Sequence, residues 1–211
     1  VNLSGQQGHL SYSGNCGIEW MKMNIRQKYR CIEERIADAY NIDRRMLDKQ
    51  IPYFFVEPTL ILDYLDQKLN PSSGSFTLFS CKGMVHLKEV SNLNPVFCRC
   101  LIEQTLYKTF HSIVFVARLR AGYIFGAPIR QIMLNERYYL GGAHSLRSYY
   151  TDGTPPLGSF LDECDVKHYV PQGGKAMVNA CFEARIPIYA GLKGVIFQDF
   201  GALSHTRFAD L

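Results

Sequence analysis

The stretch YYLGGAHSLRSYYTDG, residues 138–153, holds the residues whose types and spacing could do chemistry. Gly141 and Gly142 are adjacent, and glycine pairs are used where φ must be positive or where another backbone comes close. Arg147 follows, between Leu146 and the Ser148–Tyr149 pair. A guanidinium at a loop tip can grip a carboxylate or a phosphate through its planar fork of donors. It can equally be a solvated side chain on a surface turn, and the stretch alone leaves both readings open. Catalysis is the weaker reading. His144 and Ser145 lie close to Arg147, but neighbours in a loop are not a triad. The chain also lacks a nucleophile elbow, a glycine-rich phosphate loop and a His-Glu metal motif. We therefore expect no enzyme activity and no cofactor. The seven cysteines (16, 31, 81, 98, 100, 164 and 181) show no CxxC spacing and the six histidines are scattered, so no metal site is expected. Cys98 and Cys100 would share one face of a strand. The odd count fits either free thiols or crosslinks to partners in an oxidising envelope.

The elements that must position this loop follow from a chain of 211 residues, long enough for one large domain or two small ones. Net charge is only +4 and the basic residues are spread along the chain, without the clustered patch that a nucleic-acid partner requires. Aromatic residues make up 13 % of the chain, which favours strands. No apolar run approaches the ~18 residues of a membrane-spanning helix, which leaves a β-barrel open. The sequence begins at Val1 within a polar stretch and without a signal peptide, as expected of a fragment or a processed product.

The dominant period is two. From Ile113 to Tyr123 the odd positions read Ile, Phe, Ala, Leu, Ala, Tyr, while Arg118 and Arg120 fall on the even face. From Val178 to Ile186 the apolar residues are even, and Asn179, Cys181, Glu183 and Arg185 are odd. From Met21 to Cys31 the even face carries Lys22, Arg26, Lys28 and Arg30. These are two-faced strands. At nine to eleven residues they exceed the ~5–6 typical of a soluble sheet and match the ~9–11 of a tilted membrane strand. A charged face would then line a watery lumen, although a large soluble sheet with one wet face shows the same alternation.

Asn70–Gly74 and Ser91–Pro95 read as turns, and residues 151–174 as a long irregular segment rich in glycine and proline. Short turns on one side and long loops on the other are the asymmetry of outer-membrane barrels. Residues 31–47 break the pattern, with Ile32, Ile36, Ala39 and Tyr40 at helical spacing.

Three blocks, in order, resemble the Omp85 superfamily, also called the surface antigen D15 family. LDYLDQKLNPSSGSFTLF (62–79), with Asp63, Asp66, Pro71 and Gly74, is similar to its strand–turn–strand signature. ERYYLGGAHSLRSYYTDG (136–153) is similar to the signature of its sixth extracellular loop, and residues 173–203 to the strand pair that follows. Residues 50–203 carry the resemblance and the first 50 fit it loosely.

The resemblance implies an all-β fold, an antiparallel transmembrane β-barrel of an outer membrane, here present as part of the barrel without its periplasmic POTRA domains or terminal strands. It implies assembly, insertion or translocation of other proteins. The partners would be outer-membrane lipid, unfolded barrel or secreted clients, and accessory subunits. A porin-like or vestigial barrel that processes no clients is the alternative. In the family the loop folds back into the barrel and its arginine meets acids of the wall, which map to Arg147, Glu183 and Asp199. The family favours glycine after that arginine. Ser148 stands there instead, at a cost of ~1 kcal/mol if the position takes positive φ.

Overall fold

The computed structural model describes residues 2–23, 32–47, 49–87, 96–189 and 191–210. The strands are β1 (Asn2–Gln7), β2 (Leu10–Lys22), β3 (Gln50–Asp63), β4 (Gly74–His86), β5 (Val96–Phe110), β6 (Ile113–Phe125), β7 (Leu157–Leu161), β8 (Lys167–Pro171), β9 (Ala176–Tyr189) and β10 (Leu192–Ser204). Among the described residues one α-helix, α1 (Glu33–Ala39), lies between β2 and β3. Among the described residues a single antiparallel sheet runs β1-β2-β3-β4-β5-β6-β9-β10, and β7-β8 form a separate hairpin. Long antiparallel strands in chain order, with no closing pair between β1 and β10, make an open segment of a barrel wall.

Register explains which face each residue takes. β6 pairs with β9 so that Phe115 meets Ala184, Ala117 meets Phe182 and Leu119 meets Ala180. This aligns the apolar odd face of β6 with the apolar even face of β9. Phe115, Leu119 and Phe182 are about half exposed there, whereas Val116 is buried on the other side. The outer face continues through Phe54, Val56 and Leu60 of β3, Phe79 and Val85 of β4, and Ile102 and Leu106 of β5, all exposed. An apolar band this wide suits hydrocarbon and would be a liability in water.

Connections separate by length. Tight turns with Gly8 (φ 59°), His111 (φ 55°) and Gly191 (φ 90°) close one end, together with residues 64–73. At the other end lie the connection containing α1 and a long loop spanning 126–175. The strand expected over 21–31 falls mostly on residues 24–31, outside the described ones; its first two residues end β2, which runs from Leu10 to Lys22. Its Met21 is buried inside, against the segment holding Met46 and Leu47, while Trp20 points outward. The segment 151–174 is not wholly irregular, since it holds the β7–β8 hairpin. Its turn is pinned by Asp162, whose Oδ1 accepts from the N–H of Cys164 (2.8 Å) and Val166 (2.9 Å). Five-residue strands are too short for alternation to declare itself. The turn predicted at 91–95 lies outside the described residues.

The helical expectation over 31–47 is met by α1 and a 3-10 turn at Arg44–Met46. Ile32, Ile36 and Ala39 are buried, and Glu33 and Glu34 occupy the first turn, where the helix dipole favours acids. The main core lies inside the sheet, between its inner face and the long loop. Ile51 and Tyr53 of β3, Met84, Phe97, Ile124 and Met177 contribute from the wall, and Ile132, Tyr138, Leu140 and Leu146 from the loop.

Candidate functional site

The long loop leaves β6 at Gly126, crosses the inner face and returns at β9. Its hold on the wall is built from several strands. Tyr138 lies across β6 at Gly122, where a Cβ would come within 2.5 Å of the tyrosine ring. That omission lets its hydroxyl donate to the Cys100 carbonyl on β5 (2.6 Å). Lys82 of β4 bonds Glu136 of the loop (2.7 Å) and Glu19 of β2 (3.1 Å). Arg118 of β6 donates to the His144 carbonyl (2.7 Å). Asn135 of the loop also reaches Met21 of β2 (3.7 Å), and one loop that touches β2, β4, β5 and β6 requires the sheet to curl around it.

The tip then doubles back. Gly141 (φ 119°) and Gly142 (φ 87°) are both left-handed. A Cβ on Gly141 would lie 2.2 Å from the Tyr150 carbonyl oxygen. The pair serves the close backbone return that their adjacency suggested. The Ser145 hydroxyl closes the tip by accepting from Gly141 N–H (2.8 Å) and donating to its carbonyl (3.0 Å). Leu146 is buried, resting with Leu140 over Gly201 of β10, where a Cβ would meet both side chains at 3.1 Å. Beneath the tip, Asn179 is fully buried and donates to the Phe200 carbonyl (3.0 Å).

Seated this way, Arg147 meets both predicted acids. Its Nε and Nη2 donate to the two oxygens of Asp199 (2.8 and 2.7 Å), and its backbone N–H adds a third bond (3.1 Å). Nη1 donates to Glu183 Oε1 (2.9 Å) and Nη2 also reaches Cys181 Sγ (2.9 Å). The Phe197 ring packs against the guanidinium at 3.6 Å, a cation–π contact. Glu183 turns its second oxygen to Arg185 (3.1 Å). Register requires this grouping, because Asp199 is opposite Cys181 and Phe197 opposite Glu183 across β9–β10. The bidentate fork on Asp199 is the geometry in which arginine binds a carboxylate most strongly. Ser148 is not among the positive-φ residues, so the predicted backbone penalty does not arise. Tyr149 is about half exposed and stays outside the cluster, although its backbone carbonyl accepts from Gly142 N–H (3.0 Å).

The turn residues form a separate group at the tight-turn end. Asp66 accepts from the N–H of Gln67, Ser72 and Ser73 (2.9, 3.0 and 3.2 Å) and from the Ser72 hydroxyl. These donors, the Ser72 hydroxyl first, hold its carboxyl down at about 2. Asp63 accepts from Leu65 N–H (3.0 Å) and Pro71 is buried. Gly74 (φ 113°) leaves no room for a Cβ, which would lie 2.1 Å from the Tyr64 carbonyl oxygen.

Residues 8–210 match the Omp85 superfamily domain. The chain belongs to the Omp85 superfamily. The match begins at residue 8, well before the region in which the resemblance was legible. No curated protein matches the sequence. Among solved structures, this Omp85 chain is similar to BamA from Haemophilus ducreyi lacking POTRA domains 1–3, with a TM-score of 0.66 and 20 % identity. The similarity covers 93 % of this chain and 39 % of that one. The chain thus spans well under half the length of the structure it matches, as a part of that barrel would.

One residue of the site was not foreseen. Arg137 is 2 % exposed, and all five of its donor positions are spent on backbone carbonyls. Nε donates to Ile132 (3.0 Å), Nη1 to Tyr40 (2.7 Å) and Gln172 (2.8 Å), and Nη2 to Asn41 and Ile129 (2.9 Å each). Burial lowers its pKa to about 10, so it remains charged at neutral pH. It ties the α1 connection to both ends of the long loop. Position 137 lies in the 136–153 loop motif, but nothing in sequence separates an arginine that collects carbonyls from one that faces water.

Proposed function

We propose that this chain is the barrel segment of an outer-membrane protein that inserts or translocates other β-rich proteins, and that the Arg147 clasp sets the long loop in its working position. Membership of the Omp85 superfamily supports the broad role. The observation that carries the finer reading is the simultaneous grip of Arg147 on Asp199 and Glu183, two acids of neighbouring strands β10 and β9. A loop held this way fixes the angle between two wall strands, which a barrel that opens to admit client strands must control. The apolar outer face supplies the contact with lipid, and the clients are unfolded barrel or secreted chains that pair with exposed backbone. No bond is made or broken, so the protein is not an enzyme and needs no cofactor.

The test is reconstitution of the full-length protein in liposomes with a urea-unfolded outer-membrane barrel as client, scored by protease protection of the folded client. The native protein is expected to raise the folded yield several-fold over empty liposomes, and Arg147→Ala to lose most of that gain while remaining inserted. A native protein that gives no gain but passes small solutes would show a porin-like barrel and overturn the proposal.

A further inference from the structure

Cys81, Cys98 and Cys100 form a cluster that the loop clasp does not use. Cys81 of β4 is the register partner of Cys100 of β5, and Cys98 lies diagonally across. The sulfurs are 2.6 Å apart for Cys81–Cys100, 3.1 Å for Cys81–Cys98 and 3.6 Å for Cys98–Cys100. All three share the outer face with Phe79, Val85 and Ile102. They sit near the long-loop end, since Cys100 is opposite Tyr123 and Cys98 opposite Phe125. An aromatic rim of this kind marks the water–lipid boundary, within reach of dissolved reagents.

Three thiols together could share a soft metal ion or form a crosslink. Metal–sulfur bonds of about 2.3 Å around a tetrahedral centre hold the sulfurs roughly 3.8 Å apart. Two of the distances here are far shorter. A thiolate cluster would also place net negative charge on a face that meets hydrocarbon, whereas a disulfide is neutral. Antiparallel partners have Cα atoms about 4.5–5.5 Å apart, inside the roughly 4.4–6.8 Å that a disulfide spans. The three distances give roughly a right angle at Cys81, so Cys98 is not in line to displace Cys100 by exchange.

We propose that Cys81 and Cys100 are a disulfide-forming pair that staples β4 to β5 on the outer face, with Cys98 left as a thiol. The reaction consumes one disulfide oxidant. The two thiols lose two protons and two electrons, one S–S bond forms, and the oxidant's S–S bond is reduced to two thiols. The position has a structural use. Pro58 of β3 falls opposite Cys81, and the β3–β4 pairing skips from Val56–Gly83 to Thr59–Ser80, because proline has no N–H to give. The staple reinforces β4 on one side where the ladder is interrupted on the other.

Trypsin makes the pair readable, because cleavage after Lys68, Lys82, Lys88, Arg99 and Lys108 puts each of the three cysteines on its own peptide. The purified full-length protein, folded in detergent micelles, is incubated with oxidised glutathione, blocked with N-ethylmaleimide, digested and analysed by mass spectrometry. The expected product is peptide 69–82 joined to 100–108, with Cys98 on 89–99 carrying the blocking group or glutathione. Cys98→Ser should leave the link intact, and the oxidised protein should unfold at a higher temperature than the reduced one. A link that includes peptide 89–99, or Cys81 and Cys100 both recovered unlinked, overturns the proposal. So does one equivalent of zinc or copper retained on the reduced protein and lost with Cys98→Ser.

Discussion

Removing the Arg147 side chain is the most informative perturbation, because the cost can be divided among its partners in advance. The Asp199 side chain is 6 % exposed and that of Glu183 is 17 %. Glu183 keeps Arg185, so the stranded charge is chiefly Asp199. Breaking a buried pair costs ~3–5 kcal/mol, and the 23 % exposure of Arg147 calls for a discount to ~2–4 kcal/mol. Asp199→Ala removes three hydrogen bonds but leaves Arg147 with Glu183 and the Phe197 face. The double variant should therefore cost less than the sum of the two, with a coupling of ~1.5–3 kcal/mol. Urea unfolding in lipid vesicles would measure it, followed by the emission of Trp20, the sole tryptophan of these 211 residues, which is exposed on the outer face. Costs that add within ~0.5 kcal/mol would refute the clasp as a coupled unit.

Phe182→Arg, on the outer face, should destabilise the folded barrel by ~2–4 kcal/mol in vesicles, and Thr59→Arg, on the inner face, far less; Asn179 is unsuited as the inner control because it is fully buried beneath the loop tip. The Asp66 carboxyl has its folded pKa depressed to about 2, so its contribution is present above the usual carboxylate range and is lost as pH falls through that value. Amide exchange at Ser72 and Ser73 should accordingly keep full protection from neutral pH down to about 4 and lose it progressively between about 4 and about 2, whereas Asp66→Ala should be unprotected throughout. Arg137→Lys retains the charge but not the fork, and should release the long loop to protease cleavage at least tenfold faster, for a loss of ~1.5–3 kcal/mol.

What could be read before the structure depended on what covers the inner face. In β6 and β9 that face carries Arg118, Arg120, Glu183 and Arg185, so polarity alternates and the strands declare themselves. In β3 the inward Ile51, Tyr53 and Phe55 pack with the core, while Phe54 and Val56 point outward. Both faces are apolar there, and period two disappears. The Arg147 site was legible because a loop motif and two strand motifs identified it jointly, and parity put Glu183 inside. Arg137 was not, because its partners are carbonyls, which every residue has. Cys98 and Cys100 could be placed on one face from their spacing, but the third thiol required the β4–β5 register, which no local pattern encodes.

The burial of Leu140 and Leu146 against Gly201 bears on how the loop tip would leave the wall. Lifting the loop tip exposes both side chains, at ~1.5–3 kcal/mol each, before any ion pair is broken. At about 1.4 kcal/mol per tenfold change, those two leucines alone hold the lifted state to roughly one part in a hundred to ten thousand. Because the same tip carries Arg147, the apolar and ionic contacts must let go together. The tip would then leave the wall in rare single steps, with no half-released state between them.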